Sequence, residues 1–151
     1  MKTKVSDWMT REPITIDERA SIMEAMHLMK EKGIRRLPVM KKGRLVGLVT
    51  DRMLKDYSPG KATMFDTWEV HYLLSKTSVT EVMNPKPHTV TPGSALTEAA
   101  LIIRDHRLYG LCVVDGKGEL VGILTIKDLI DALFHLAEIA SEKTREAPAS
   151  T

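Results

Sequence analysis

The stretch "GILTIKDL" at Gly122–Leu129 has a counterpart upstream, "GLVTDRML" at Gly47–Leu54. Each copy begins with glycine, continues with two aliphatic residues and threonine, and ends on leucine. The residue before that leucine is Asp128 in the later copy and Met53 in the earlier one. An aliphatic run that ends at threonine predicts a strand followed by a helix start, because threonine is a good helix N-cap. The pair therefore indicates a structural unit that occurs twice.

The similarity extends well beyond these stretches when Val5 is aligned with Val79. Each copy then spans about 50 residues, and one residue is inserted in the second copy. The matched pairs include Met9 with Met83, Pro13 with Pro87, Thr15 with Thr89, Leu37 with Leu111, and Thr50 with Thr125. We interpret the chain as an internal duplication.

Each copy has the same predicted order of elements. In the first copy, Ile14–Ile16 forms a short extended segment after a proline. A helix follows, with Asp17 as the expected N-cap and Gly33 as its C-terminal stop. Two strands joined by a turn at Lys41–Gly43 and a second helix complete the unit. The second copy repeats this order from His88–Val90, which predicts an α+β (mixed α/β) fold of two β-α-β-β-α units.

The duplication divides the chain into four parts. A single unit this small buries too little surface to be stable alone, so the two are expected to pack as a pseudo-two-fold pair. Asp66 and Glu69 stand at capping-box spacing and predict a short helix in the linker. The parts are unit one at 5–56, the linker at 57–78, unit two with an extended C-terminal helix at 79–140, and a tail at 141–151 that we expect to be disordered.

Composition excludes several classes of protein. Of 151 residues, 43% are hydrophobic and 28% charged, and the net charge is only +2, as in ordinary soluble globular proteins. One cysteine, Cys112, excludes an internal disulfide and suits a reducing compartment. The first residues have no signal-peptide pattern, and no apolar run approaches the roughly 20 residues that span a membrane. We therefore expect a cytoplasmic protein without membrane contact.

The full pattern resembles a known family. "M-x-x-x-P-x-T" at Met9–Thr15, "IRRLPV" at Ile34–Val39 and "G-h-h-T-x-x-D" (h aliphatic) at Gly122–Asp128, within a pattern that occurs twice, resemble the cystathionine-β-synthase (CBS) domain pair, or Bateman module, over residues 5 to about 136. The linker at Ser58–Lys76 resembles that of acetoin-utilisation AcuB-type proteins. Many of those carry an additional ACT domain, which we expect to be absent here or removed.

The resemblance implies a regulatory module that is not an enzyme. Such pairs bind AMP, ADP, ATP or S-adenosylmethionine in two clefts between the units, and no cofactor is required. Matched residue by residue, the main cleft comprises Ile14, Thr15, Ile34, Arg35, Arg36, Leu37, Pro38, Ile123, Thr125, Lys127 and Asp128. The second, weaker cleft comprises Thr50, Asp51, Arg52, His88, Thr89, Leu108 and Tyr109.

The chemistry of these positions predicts unequal sites. A carboxylate at Asp128 can accept hydrogen bonds from both neighbouring hydroxyls of a ribose, and a helix N-terminus favours nearby phosphate. Arg35, Arg36 and Lys127 are the cations we assign to phosphate. Met53 accepts no useful hydrogen bond from ribose. Losing two bonds of roughly 1 kcal/mol each should weaken the second site at least tenfold.

Plainer interpretations stay open for several residues. Thr125 and Asp128 also suit a simple helix cap. Arg35 and Arg36 alternate along a strand, so both cannot easily face one cleft. The five histidines show no metal-ligand spacing, and we predict no metal site. Cys112 is typical of a buried small hydrophobe.

The C-terminal helix at 126–140 is apolar over more than one stripe, which indicates burial on two sides. CBS pairs commonly dimerise through such helices, so we predict a homodimer. A structural or dimerisation module with empty clefts is the alternative function. Nucleic-acid binding through the basic stretch Lys30–Arg44 is disfavoured, because aromatic residues are not interleaved there. No nucleophile–base pair or phosphate-cradling glycine loop points to an enzyme.

Overall fold

The computed structural model describes residues 1–57 and 66–146. The described α-helices are α1 (Ile22–Lys32), α2 (Asp51–Asp56), α3 (Thr67–Lys76), α4 (Leu96–His106) and α5 (Ile126–Glu146). The strands are β1 (Thr10–Arg11), β2 (Ile16–Asp17), β3 (Arg36–Lys41), β4 (Arg44–Thr50), β5 (Thr89–Val90), β6 (Gly110–Val114) and β7 (Leu120–Thr125). The mixed α/β class is confirmed, and the two copies read β2-α1-β3-β4-α2 and β5-α4-β6-β7-α5.

The chain forms two compact units that do not coincide with the two sequence copies. The first-repeat unit comprises Pro13–Pro87 and Lys117–Leu120, and the second-repeat unit comprises Met1–Glu12, His88–Gly116 and Val121–Thr151. The segment that precedes each copy therefore packs with the other copy.

The first-repeat unit is built on the three-stranded sheet β2-β3-β4. Strand β2 is parallel to β3, with Ile16 opposite Val39, and β3 is antiparallel to β4. The turn between β3 and β4 has positive φ at Lys42 and Gly43, as a type I′ hairpin requires. The core is entirely aliphatic and consists of Ile16, Ile22, Ala25, Met29, Leu37, Val39, Val49, Leu54, Leu74 and Val79.

The second-repeat unit has a four-stranded sheet in the order β1-β7-β6-β5. Strand β5 is parallel to β6, with Thr89 opposite Cys112. Strand β1 adds an antiparallel edge, with Thr10 opposite Ile123. Its core consists of Val5, Met9, Val90, Leu96, Ala99, Ile103, Leu111, Val113, Leu124 and Ala132.

Matching backbone bonds attach the preceding segment to each unit. In the first-repeat unit, Ile22 N–H donates to the Thr77 carbonyl at 2.8 Å, and Val79 N–H donates to the Ala20 carbonyl at 2.9 Å. In the second-repeat unit, Leu96 N–H donates to the Thr3 carbonyl at 2.8 Å. The bonds from Ile22 and Leu96 satisfy N–H groups at the starts of α1 and α4, which have no partner inside the helix.

Helix α1 begins later than predicted, and Asp17 is not its N-cap. Ser21 caps it, because its hydroxyl accepts the Glu24 N–H at 3.1 Å while the Glu24 carboxylate accepts the Ser21 N–H at 3.1 Å. Asp17 instead ends strand β2 and accepts hydrogen bonds from Arg19. The predicted stop at Gly33 is confirmed by its left-handed φ of 64°.

The described residues of the linker and tail include helical segments. Helix α3 begins after Asp66, whose carboxylate accepts the Glu69 N–H at 2.8 Å. Helix α5 continues through residues 141–146, which we had expected to be disordered; its last turns contain Glu, Lys and Arg, all good helix formers. Residues 58–65 of the linker and 147–151 of the tail lie outside the described residues.

Candidate functional site

The junction of β7 and α5 brings Thr125 and Asp128 together, as predicted. The Thr125 N–H donates to Asp128 Oδ2 at 2.8 Å, and the Thr125 hydroxyl donates to the same oxygen at 3.2 Å. Asp128 is half-buried, and its Oδ1 has no hydrogen-bond partner among residues 1–57 and 66–146. The carboxylate thus caps the helix with one oxygen and keeps the other as an acceptor.

The corresponding junction of β4 and α2 is chemically different. Here the Thr50 hydroxyl accepts the Met53 N–H at 3.2 Å, so it acts as an ordinary N-cap. With a thioether in place of the carboxylate, the threonine hydroxyl has no side-chain acceptor at this position. Asp51 lies 3.6 Å from Lys55, and Arg52 lies 3.9 Å from Asp56, each on consecutive helical turns. The corner in the first copy therefore presents no carboxylate comparable to Asp128.

The other predicted residues beside Asp128 differ in their exposure. Lys127 is exposed, and its ammonium group donates to Asp131 at 3.0 Å. That hydrogen bond raises the pKa of Lys127. Ile123 is half-buried in β7. One of the three cations predicted for phosphate, Lys127, is therefore hydrogen-bonded to a carboxylate of its own helix.

The main-cleft residues that were predicted in the first copy are partly exposed and partly buried. Ile14 and Thr15 are exposed and precede β2. Ile34 is half-buried and Arg35 exposed, while Arg36 is half-buried and has a partner of its own. Leu37 and Pro38 are fully buried. The Leu37 side chain belongs to the core of the first-repeat unit, so a ligand would meet only its backbone.

Arg35 and Tyr109 occupy equivalent backbone positions in the two units. The Arg35 carbonyl accepts the Asp51 N–H at 2.9 Å, and the Tyr109 carbonyl accepts the Ile126 N–H at 3.1 Å. Each bond ties the start of a repeat's middle strand to its second helix. The side chains differ in chemistry but are both exposed, with Tyr109 62% exposed.

The remaining predicted residues lie in the second-repeat unit. His88 and Thr89 are exposed, and Leu108 is half-buried. The His88 ring stacks on His106, with centroids 4.0 Å apart, a contact that the sequence did not reveal because the two are far apart in the chain. Cys112 is buried, and burial raises the pKa of its thiol to about 12, so it stays protonated near neutral pH.

A groove between α1 and α2 was not predicted from the sequence. It has a volume of about 530 Å³ and lies within the first-repeat unit. Its floor is apolar and is made by Met26, Met29, Ile34 and Leu54. Lys30, Arg35 and Lys55 line its rim together with Asp51. We call this feature the α1/α2 groove. The signal in the sequence is the apolar spacing of α1 next to its basic C-terminal end.

Residues 1–57 and 66–146 contain no group of three or more His, Cys, Asp or Glu side chains placed to hold a metal ion. Over the same residues, no helix combines the length and apolar character needed to cross a membrane.

Several solved structures are similar in fold to this chain. The chain is similar to a protein described as the acetoin utilization protein AcuB of Vibrio cholerae, with 31% identity, a TM-score of 0.75, and coverage of 94% of this chain and 98% of that one. It is similar to CBSX2 in complex with AMP at 29% identity and a TM-score of 0.73, covering 89% and 98%. The CBS domain pair of protein MJ0100, in complex with 5′-methylthioadenosine and S-adenosylmethionine, matches at 26% identity and a TM-score of 0.70, covering 89% and 98%.

Sequence relatives and a family model identify the chain's family. A CBS domain-containing protein of Dictyostelium discoideum is 31% identical over 139 residues, covering 91% of this chain and 96% of that one. Inosine-5′-monophosphate dehydrogenase of Korarchaeum cryptofilum is 32% identical over 142 residues, but the match spans only 27% of that enzyme. The model of the CBS domain matches twice, at residues 5–60 and 79–135. The chain therefore belongs to the CBS domain family, as a tandem pair.

Proposed function

We propose that this chain is a non-catalytic regulatory module that binds an adenosine-containing ligand at the Thr125–Asp128 corner. AMP, ADP, ATP and S-adenosylmethionine are the candidates. The observation that carries the proposal is the half-buried Asp128 carboxylate, which stands at a helix start with Oδ1 unengaged. Complexes of CBSX2 with AMP and of MJ0100 with S-adenosylmethionine support the ligand class.

The corner suits a ribose for a simple reason. An ionised carboxylate offers about four lone-pair positions, and Thr125 uses two of them, both on Oδ2. Oδ1 is left with two lone pairs, which can accept from the two neighbouring hydroxyls of a ribose. Bonds to a charged acceptor are stronger than those between neutral groups. The fixed Thr125 contacts also hold the carboxylate in place before a ligand arrives, which reduces the entropy cost of binding.

Two of the cations predicted to contact phosphate, Lys127 and Arg35, differ in whether they already have an ion-pair partner. Lys127 already donates one of its three N–H groups to Asp131. Arg35 is exposed and has no ion-pair partner among residues 1–57 and 66–146. Arg35 and the other main-cleft residues predicted at Ile14–Thr15 and Ile34–Pro38 belong to the first-repeat unit. Their role in the site stays a prediction.

Replacing Asp128 by alanine should weaken ligand binding at least tenfold, because two hydrogen bonds of roughly 1 kcal/mol each are lost. Isothermal titration calorimetry with AMP, ADP, ATP and S-adenosylmethionine measures this. Glu98→Ala is the matched control, since Glu98 is likewise an acid in the first turn of a helix in the same unit, but is exposed. Met53→Asp should strengthen the weaker site by supplying the missing carboxylate.

Two results would contradict the proposal. One is that none of the four compounds binds with a dissociation constant below about a millimolar, which corresponds to a binding free energy of about −4 kcal/mol. The other is an unchanged dissociation constant in the Asp128→Ala protein. Because Asp128 also caps α5, its loss should cost about 0.5–2 kcal/mol of unfolding free energy, and binding must be measured where the variant remains folded.

We also propose that the chain is a homodimer. The support is the exposed apolar surface of α5, where Leu133 and Phe134 are each 66% exposed. Contiguous apolar surface of this kind marks an interaction site. A monomeric mass in light scattering at tens of micromolar would exclude it.

A structural module with empty clefts is the second candidate function. It is favoured by the two bonds that Thr125 already donates to Asp128, which explain that carboxylate without a ligand. Thermal unfolding separates the candidates, because a ligand at a hundred times its dissociation constant stabilises the folded state by about 2.7 kcal/mol. No shift with any of the four compounds would favour the structural module.

A further inference from the structure

Helix α3 presents two aromatic side chains to solvent. Trp68 is 77% exposed and Tyr72 is 56% exposed. They stand four residues apart, so they are neighbours on consecutive turns of the helix. Another face of α3 is anchored in the first-repeat unit, because Leu74 belongs to its core and Val70 packs against that core. The two aromatic side chains therefore stand on an anchored helix without being part of the core.

A cavity of about 390 Å³ lies beside these rings. The described residues that line it are Trp68, Glu69, Tyr72 and Leu73, all from α3. Its volume is at the small end of the range found for pockets that hold small molecules. The two rings do not stack on each other, so each is a separate contact surface.

The charged side chain among the lining residues is a carboxylate. Glu69 is exposed, and its carboxylate has no hydrogen-bond or ion-pair partner among residues 1–57 and 66–146. The face of an aromatic ring is negative and attracts cations, and tryptophan and tyrosine do so most strongly. A positively charged ligand therefore suits both the carboxylate and the two rings.

One contact of this kind is present within α3 itself. The Lys76 ammonium group lies 5.8 Å from the centroid of the Tyr72 ring, which is within the range of a cation–π interaction. Lys76 is exposed and comes one turn after Tyr72, on the side away from Trp68. The Tyr72 ring thus already attracts a cation, and Lys76 would compete with a ligand for it.

We propose that the cavity beside Trp68 and Tyr72 binds a small methylated ammonium compound. A bare ammonium group is compact and strongly hydrated, so it would lose much hydration on entering. A quaternary ammonium group combines positive charge with apolar methyl groups, which suits the rings, Leu73 and the Glu69 carboxylate together. This site is separate from the proposed adenosine site, because α3 contains none of the residues assigned there.

Tetramethylammonium chloride is the probe for this site. Sodium chloride at equal ionic strength is the salt control, and tert-butanol is a neutral compound of similar size. The chain has two tryptophans, whose indole N–H groups give two signals in a proton–nitrogen NMR spectrum, and the Trp68→Leu protein assigns them. We expect the Trp68 signal to shift saturably, with a dissociation constant on the order of a millimolar. The Trp8 signal should stay in place, because that indole belongs to the second-repeat unit and donates to the Lys2 carbonyl at 2.9 Å.

Substitutions on α3 should change the affinity in opposite directions. Tyr72→Leu and Glu69→Gln should each raise the dissociation constant about threefold or more, because each removes one attraction for a cation. Lys76→Gln should lower it, because it removes a competing cation from the Tyr72 ring. Lys32→Gln is the matched control, since Lys32 is likewise an exposed lysine in the last turn of a helix, and it should have no effect.

These measurements can overturn the proposal in three ways. The Trp68 signal may fail to shift with tetramethylammonium, or tert-butanol may shift it equally, which would make the cavity simply apolar. Unchanged affinity in both the Tyr72→Leu and Glu69→Gln proteins, with folding confirmed by circular dichroism, would also contradict it. So would weaker binding in the Lys76→Gln protein. None of these results affects the adenosine site, which the Asp128→Ala titration tests separately.

Discussion

Gly122→Ala is expected to destabilise the protein by roughly 1–3 kcal/mol, the usual range for forcing extra atoms into a packed site. A Cβ atom at this position would lie 2.8 Å from Met9 Sδ and 2.9 Å from the Thr10 carbonyl oxygen. The methionine sulfur can move, but the carbonyl belongs to β1, which pairs with β7 beside Gly122. The N-terminal strand must therefore shift outward or detach.

Urea denaturation followed by circular dichroism measures the effect. Gly116→Ala is the matched control, because no atom lies within 4 Å of a Cβ there and the glycine has no left-handed φ. That variant should be neutral or up to about 1 kcal/mol more stable, since alanine restricts the unfolded chain. If Gly122→Ala is as stable as the unaltered protein, the close approach of β1 to Gly122 is wrong.

Leu37→Ala should cost about 2–5 kcal/mol of unfolding free energy, because it removes a fully buried side chain and leaves a cavity. The resemblance had placed Leu37 in a ligand-binding wall, but its side chain packs in the aliphatic core of the first-repeat unit. The Leu37→Ala substitution should therefore act on the free energy of unfolding.

The neighbouring exposed residue provides the contrast for this prediction. Arg35→Ala should change the unfolding free energy by no more than about 0.5 kcal/mol, as surface substitutions usually do. Both variants can be compared by the same urea titration. A Leu37→Ala protein with nearly unchanged stability would mean that the side chain is not in the core.

Much of the fold could be predicted because its signals are local. The left-handed stop at Gly33 and the hairpin turn at Lys42–Gly43 each depend on a few adjacent residues. The start of α1 was misplaced even though its capping box, Ser21 to Glu24, is also local. The sequence prediction chose Asp17, and the pairing of β2 with β3 shows that Asp17 is still in a strand.

Long-range packing was the part that sequence patterns could not supply. Nothing near Val5 or Met9 indicates that they join the core of the second copy. The same holds in the candidate site. The spacing of Thr125 and Asp128 predicted their contact, whereas the stacking of His88 on His106 and the α1/α2 groove arise from segments far apart in the chain.

The exchange of preceding segments has a consequence for synthesis on the ribosome. The first-repeat unit is almost continuous in sequence, because most of it lies between Pro13 and Pro87. The opening segment with Val5 and Met9 is made first, yet the strand it pairs with ends at Thr125. At a synthesis rate of roughly 5–20 residues per second, the intervening chain takes on the order of ten seconds to make. During that time the apolar side chains of this segment have no sheet to pack against. The nascent chain is therefore expected to fold its middle before its beginning, with its first residues open to chaperones in the interval.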